Sequence, residues 1–430
     1  MTDKGLERTI AERDHFEFLK KFLEENPNEA THLLLPLVTA NLEHYIDTIR
    51  CIEEGKPFIA SYFSNAPEIF AAMDIHWYCP VAAAFAGAGA NPYLMSDLEG
   101  TDKLAVASDI CTLLRMAMYY TEAGLLPKPT AIVGMIIPCD GIVALHEASR
   151  RSKAWRDIPI FAPDPPYHGD ERSIDYFAQE LRRMVAFLEK HTGHKLDIGR
   201  LREVVEVSNE EYKLWQEINE LRRAVPCPFN WGVGGGPFAL TQNRWVGDPR
   251  GIEWFKAALA DSEKRVREGR GWLENERIRL LWFDVHPTWF FDLAPWLEAE
   301  WGAVVVMDMF SYCPYTLVNT SSEESIFHDL AKRNLMDTTM IRQAVGVADN
   351  FANDIVRIVK DYKIDCVIWP AHMGHKDGAA SIGIMREICR DLGVPFLSLG
   401  IDTFDPRYTT PDEVKNKISQ FFTAMGLGQK

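Results

Sequence analysis

Residues 130–164, TAIVGMIIPCDGIVALHEASRRSKAWRDIPIFAPD, decide the fold. The apolar run TAIVGMIIP stops at Cys139. Residues 141–152 then carry apolar positions at helical spacing, and IPIFAPD returns as a second apolar run. Strand, helix and strand in so short a span form a βαβ unit. Strands apolar at nearly every position belong to a parallel sheet covered on both faces.

The same alternation extends in both directions. Upstream, KPFIASYF (56–63) reads as a strand, NAPEIFAAMDI as a helix, and residues 103–125 as a further helix holding Cys111. Downstream, IRLLWFDVHP, GAVVVMDM, DCVIWP and VPFLSLGID read as strands separated by helices at 289–300, 323–361 and 379–392, and DEVKNKISQFFTAMG closes the chain as a helix. Residues 6–54 are helical, and 173–225 run as helices with no strand between them. The expected organisation is an N-terminal helical segment (1–55), a first α/β domain (56–170), a helical connector (171–275) and a second α/β domain (276–430).

Composition narrows the function. At 430 residues the chain can bury more than one core. A net charge of −16 denies it the basic footprint of a nucleic-acid partner. The first residues form a charged amphipathic pattern without a signal-peptide core, and no later stretch has the uncharged length of a membrane span. The protein is expected in the cytoplasm, with no membrane partner. Eight cysteines without a framework spacing are thiols there, not disulfides. Cys51, Cys366 and Cys389 sit in patterns where a cysteine is a small buried apolar group.

In open parallel sheets, ligands bind beyond the carboxyl ends of the strands. Cys139, Asp164, His286, Asp308, His375 and Asp402 all follow predicted strands. A thiolate at Cys139 gains backbone N–H donors from the helix that follows. Cys111 by its periodicity is a buried core residue, and its pairing with Cys139 makes it a ligand candidate. His372 and His375 in HMGH would suit zinc, although no C-x-x-C completes such a site. The loop GVGGGP (232–237) lacks the Lys and Ser/Thr of a phosphate loop and reads as a closely packed loop, under a bulky ligand or none.

Six stretches occur in an order that resembles the catalytic subunits of the 2-hydroxyacyl-CoA dehydratase and ATP-dependent benzoyl-CoA reductase family. They are SYFSNAPEIFAAMDI, SDICTLLR, IIPCDG, APDPPYHGD with YFAQELRRMVAFLEKHTGHKLDIGRL, DCVIWPAHMGHKDG, and VPFLSLGIDTFDPRYTTPDEVKNKI. Together they span most of the chain. The resemblance implies two flavodoxin-like (Rossmann-like) parallel-sheet domains with helices, and a heterodimer with a homologous second subunit. It also implies a 4Fe-4S cluster held by three cysteines, an acyl-CoA substrate, and anaerobic chemistry. ATP is used only through a separate iron–sulfur activator, which injects one electron.

Carried over residue by residue, the resemblance makes Cys111 and Cys139 cluster ligands. It places His375, followed by Lys376, where the family has its third cysteine. Imidazole replaces thiolate in some iron–sulfur centres and raises their potential. Ser64 is the candidate catalytic hydroxyl, stabilising a ketyl oxygen, with helix capping as its alternative role. Ser64, Asn65 and His286 are the candidate substrate-binding residues.

Three functions remain open on the sequence. The chain is an iron–sulfur dehydratase or aryl-CoA reductase subunit working by one-electron, ketyl-type reduction of a CoA thioester. Alternatively it is a non-catalytic or electron-relay paralogue within such a heterodimer, or a zinc-dependent hydrolase using the HMGH histidines.

Overall fold

The computed structural model describes residues 3–62, 66–81, 93–137, 139–233, 235–346 and 348–427. It contains two four-stranded, wholly parallel sheets. The first holds β1 (Phe58–Tyr62), β2 (His76–Tyr78), β3 (Ala131–Gly134) and β4 (Ile160–Phe161) in the order β2-β1-β3-β4. The second holds β5 (Ile278–Trp282), β6 (Ala303–Asp308), β7 (Cys366–Trp369) and β8 (Phe396–Ser398) in the order β6-β5-β7-β8. The two orders are the same, and they match the doubly wound arrangement of flavodoxin-like folds. In each sheet the winding reverses beside the first strand, between β1 and β3 and between β5 and β7. A crevice opens at each of these two points.

Strand residues alternate between two apolar layers, as the period of an extended chain requires. Ile59, Ala131 and Val133 enter one layer of the first sheet, whereas Phe58, Ala60, Tyr62 and Ile132 enter the other. Leu281, Val304, Val306 and Val367 likewise separate from Leu280, Trp282, Val305 and Ile368 in the second sheet. β1, β3, β5, β6 and β7 are buried throughout. This explains their continuously apolar sequences.

The helices tie the sheets together. Leu33 and Ala40 of helix Thr31–Glu54, Leu214 of Ile198–Leu221 and Phe255 of Pro249–Arg267 share one core with Leu281 of β5 and Val367 of β7. Helix Glu323–Met336, encoded between β6 and β7, packs instead against helix Glu171–Thr192 and enters the core of the first sheet through Ile326, Leu330 and Leu335. A buried ion pair from Arg333 to Glu68, at 3.1 Å, accompanies that packing. Among the described residues no helix is long and apolar enough to cross a membrane.

Three local expectations change, and the first is that residues 323–361 are not one helix but three, Glu323–Met336, Ile341–Ala344 and Asp349–Asp361. Residues 103–125 are not one helix: a helix at Leu94–Asp102 stops, and a new one begins at Thr112 and runs to Ala123. Cys111 is therefore the N-cap, with φ −44° and ψ 125°, and not a residue inside a helix. The three-residue edge strand β2, which follows NAPEIFAAMDI, is not among the expected strands. It is too short to show a period, and its pairing with β1 alone defines it.

Candidate functional site at the opposed strand ends

Three helix starts converge where the two crevices face one another. Cys111 caps Thr112–Ala123, Cys139 after β3 caps Asp140–Arg151, and His375 after β7 caps Lys376–Asp391. None of the three caps uses its side chain to close its own helix. The first-turn N–H groups and helix dipoles thus offer positive potential to an anion between them.

Close backbone contact holds the segments in place. A Cβ on Gly374 would lie 2.2 Å from Cys111 Cα and 2.5 Å from its backbone N, so only glycine fits there. Lys376 bridges Asp109 at 3.2 Å and Asp140 at 3.1 Å, which neighbour the two cysteines in sequence. The lysine is well exposed, and such pairs fix geometry more than they stabilise. Thr112 Oγ1 donates to Asp402 Oδ2 at 2.7 Å, joining the Cys111 helix to the loop after β8.

The histidines take definite tautomers. The Thr403 N–H donates to His372 Nδ1 at 3.2 Å, so the proton of the neutral ring sits on Nε2, which donates to Cys111 Sγ at 3.2 Å. Burial, then the neighbouring His375, lowers the His372 pKa to about 3. His375 Nδ1–H donates to Asp284 Oδ1 at 2.9 Å. A metal held by His375 would therefore be bound through Nε2, the orientation in which carboxylates hold metal-bound histidines. Burial alone would raise the Asp284 carboxyl. The His375 ring, its hydrogen bond and the Val285 N–H outweigh burial and hold the carboxyl below its usual range.

Cys111 is buried, and its thiol pKa is pushed well up by burial, then by the neighbouring Cys139 and Asp402. The N–H groups of Leu113 and Leu114 work against that rise. Such a thiol stays protonated until a metal ion displaces the proton. Two thiols and an imidazole at three helix N-termini are donors of the kind an iron–sulfur cluster takes, and with His375 oriented by Asp284 these residues fit that group.

Asp284 (φ 146°) and Ala371 (φ 54°), at the ends of β5 and β7, adopt backbone conformations that side chains disfavour. Strain of this kind is held by surrounding contacts and collects at working sites. A small cavity of about 10 Å³ lies beside His375 and Asp284, lined also by Met309, Met340, Phe351, Trp369 and Gln343.

Not every expected residue joins this centre. Ser64 and Asn65 lie outside the described residues. His286 is half-buried with its ring edge on Trp231 at 5.7 Å, and it is Asp284, two residues earlier, that reaches His375. Both ring nitrogens of His372 are engaged within the protein, which removes it as a ligand for the zinc site weighed from HMGH. Among the described residues, the set of three metal-binding groups that converges as a single-ion site would is Glu171, Asp175 and His328 on the surface. Asp284, Asp402 and Thr403 enter as positioning groups, and of these only Asp402 was marked by its strand-end location.

Fold and site define an α/β protein with a cysteine–histidine centre between two parallel sheets. The chain belongs to the family described as 2-hydroxyglutaryl-CoA dehydratase, D-component, which it matches over residues 64–425. It is 27% identical to a benzoyl-CoA reductase subunit from Thauera aromatica over 75% of this chain and 78% of the relative. It is 20% identical to the (R)-phenyllactyl-CoA dehydratase alpha subunit of Clostridium sporogenes over 74% and 78% of the two chains. The (R)-2-hydroxyisocaproyl-CoA dehydratase alpha subunit of Clostridioides difficile is 23% identical over 57% and 62%.

Proposed function

We propose that this chain is a subunit of an iron–sulfur enzyme that dehydrates or reduces a CoA thioester after one-electron activation, with Cys111, Cys139 and His375 holding a 4Fe-4S cluster. The observation that carries this reading is that Cys111, Cys139 and His375 cap three helices whose starts are held together by Gly374 against the Cys111 backbone and by Lys376 between Asp109 and Asp140, with His375 oriented by Asp284. When bound, the cluster supplies an iron with an open position, as Lewis acid and electron donor to the thioester carbonyl.

The protein's own residues do the rest. His372 donates to the Cys111 sulfur, and hydrogen bonds of this kind tune a cluster. Asp284 fixes the His375 ring, and Lys376 staples the loops that bear the ligands. Met309, Met340, Phe351 and Trp369, which line the small cavity beside His375, would give an acyl group an apolar wall there. Ser64 and Asn65 are the proposed groups near the carbonyl, and His286 a proposed substrate contact. The reading includes a homologous partner subunit, an ATP-dependent activator and a cytoplasmic setting, with residues 56–170 and 276–430 as the two α/β domains.

A second reading rests on the imidazole at position 375. A centre with one imidazole has a higher potential than an all-thiolate one, which suits a subunit that relays electrons while its partner performs the chemistry. Iron and labile sulfide, measured after anaerobic purification, test the cluster itself. Cys139→Ala should abolish both, whereas Cys389→Ala, in the core with Met385, should retain them. Equal loss in the two variants, or an iron-free chain beside a loaded partner, would sink the cluster assignment.

A further inference from the structure

Away from the cysteine–histidine centre, basic groups gather along the outer edge of β2. Arg244 ends a π-helical turn, Leu240–Arg244, that continues from the glycine-rich loop. π-Turns recur where a backbone has been adjusted for a ligand. Its Nε donates to Asn41 Oδ1 at 2.9 Å and its Nη1 to the Asn243 carbonyl at 3.1 Å. Asn41 is itself anchored through Nδ2 on the Leu37 carbonyl. Two of the five guanidinium N–H donors are thereby engaged.

The rings of His44 and His76 stand beside this arginine, 5.0 Å apart. The Thr48 hydroxyl gives its proton to the His44 carbonyl at 2.9 Å, so at 2.7 Å it accepts from His76 Nε2–H. The tautomer leaves Nδ1 as the proton-accepting nitrogen of His76. Burial, then the positive charge of Arg244, depresses both imidazoles, His76 to about 4. Each of the three basic side chains keeps part of its surface open.

The charge balance is what distinguishes the group. The buried arginines Arg115, Arg222, Arg265, Arg279, Arg333 and Arg342 each pair with a carboxylate, of Asp102, Asp308, Glu29, Glu276, Glu68 and Asp354 respectively. Arg244 has no carboxylate within ion-pair distance among the described residues, and residues 63–65 and 82–92, on either side of β2 in the chain, contain no Asp or Glu. In a chain of net charge −16, two histidines and an arginine meet without a carboxylate partner among the described residues. Desolvating an unpaired guanidinium is costly unless an anion completes the site.

We propose that Arg244, His44 and His76 form a phosphate-binding subsite, with Asn41 as the positioning residue of the guanidinium. Its ligand is a phosphoryl group: the remaining N–H donors of the arginine match its oxygens, and its negative charge would favour a proton on Nδ1 of the adjacent His76 imidazole. The phosphate of choice is in the nucleotide tail of CoA, and that part of the inference rests on the proposed function. The acyl end then lies elsewhere, at the strand ends beside His375.

Calorimetric titration of the full chain with CoA, inorganic pyrophosphate and pantetheine tests the subsite. Arg244→Gln should weaken CoA and pyrophosphate by about tenfold or more and leave pantetheine unchanged, and Arg244→Lys should restore part of the loss. In the wild type, pyrophosphate should compete with CoA; absence of competition overturns the proposal without recourse to any variant. CoA bound equally by wild type and Arg244→Gln also overturns it, while the thioester reading survives. Arg244-dependent pyrophosphate binding without CoA binding keeps the subsite and removes the thioester reading.

Discussion

His372 Nε2 lies 3.2 Å from Cys111 Sγ, although 261 residues separate them in the chain. The contact joins the loop after β7 to the start of helix Thr112–Ala123, and with it the crevices of the two sheets. Thr403 fixes the imidazole from the other side at 3.2 Å. The thiol, the ring and the backbone N–H form one buried line of hydrogen bonds.

Replacing His372 by Leu strands the buried Thr403 N–H and removes the donor to sulfur. Losing a buried partner costs about 1–3 kcal/mol. The urea midpoint of the metal-free chain should fall accordingly with an unchanged slope. A midpoint equal to wild type would show that this line of bonds contributes nothing.

His375→Cys replaces the imidazole by a third thiolate. On the proposed function the variant keeps its iron, and its midpoint potential drops on the order of 100 mV, the scale that separates imidazole from thiolate ligation. Anaerobic redox titration followed by electron paramagnetic resonance reads this directly. An unchanged potential would remove His375 from the ligand set.

Gly374→Ala and Gly383→Ala should move stability in opposite directions. At position 374 the new methyl meets Cys111 backbone at 2.2 Å and 2.5 Å. Overpacking against backbone costs about 1–3 kcal/mol or more, and the cysteine and histidine loops are forced apart. Gly383 lies exposed inside helix Lys376–Asp391 with nothing within 4 Å of the added methyl. Alanine there should stabilise by about 0.5–1 kcal/mol. Melting temperatures of the pair decide the point.

Asp337 supplies a pH signature remote from the ligands. Burial raises its carboxyl from 3.8 to about 6, against the hydrogen bonds from Thr316 and the charge of Arg333. Between about pH 4 and 6 the folded state binds the extra proton, so this group's contribution is full below pH 4 and is lost as pH rises through 6. The slope approaches about 1.4 kcal/mol per pH unit for one proton. Asp337→Asn should flatten the wild-type decline over that window. Parallel stability profiles for the two proteins would refute the assignment.

Much of this architecture is legible in the sequence. FIASY, AIVG, IRLLW, AVVVMD and CVIW show their burial on both faces because a fully covered strand is apolar at most positions, buried Arg279 being an exception that needs its Glu276 partner. The break before Cys111 is not legible. The apolar spacing of residues 103–125 continues across it, and the N-cap is set by Gly374 and Asp402 from distant segments. Asp284 is invisible for the same reason: its partner His375 lies 91 residues on.

The amino-acid sequence by itself determined two α/β units and which residues stand at strand ends, because side-chain period and chain breaks are local properties of neighbouring residues. Only the tertiary structure decided that the two sheets share one strand order and present their crevices to each other. It alone turned Cys111, Cys139 and His375 into caps of three neighbouring helix starts, and left Arg244, among the described residues, without a carboxylate. Those relationships depend on sheet order and on packing between residues far apart in the chain, which no local spacing encodes.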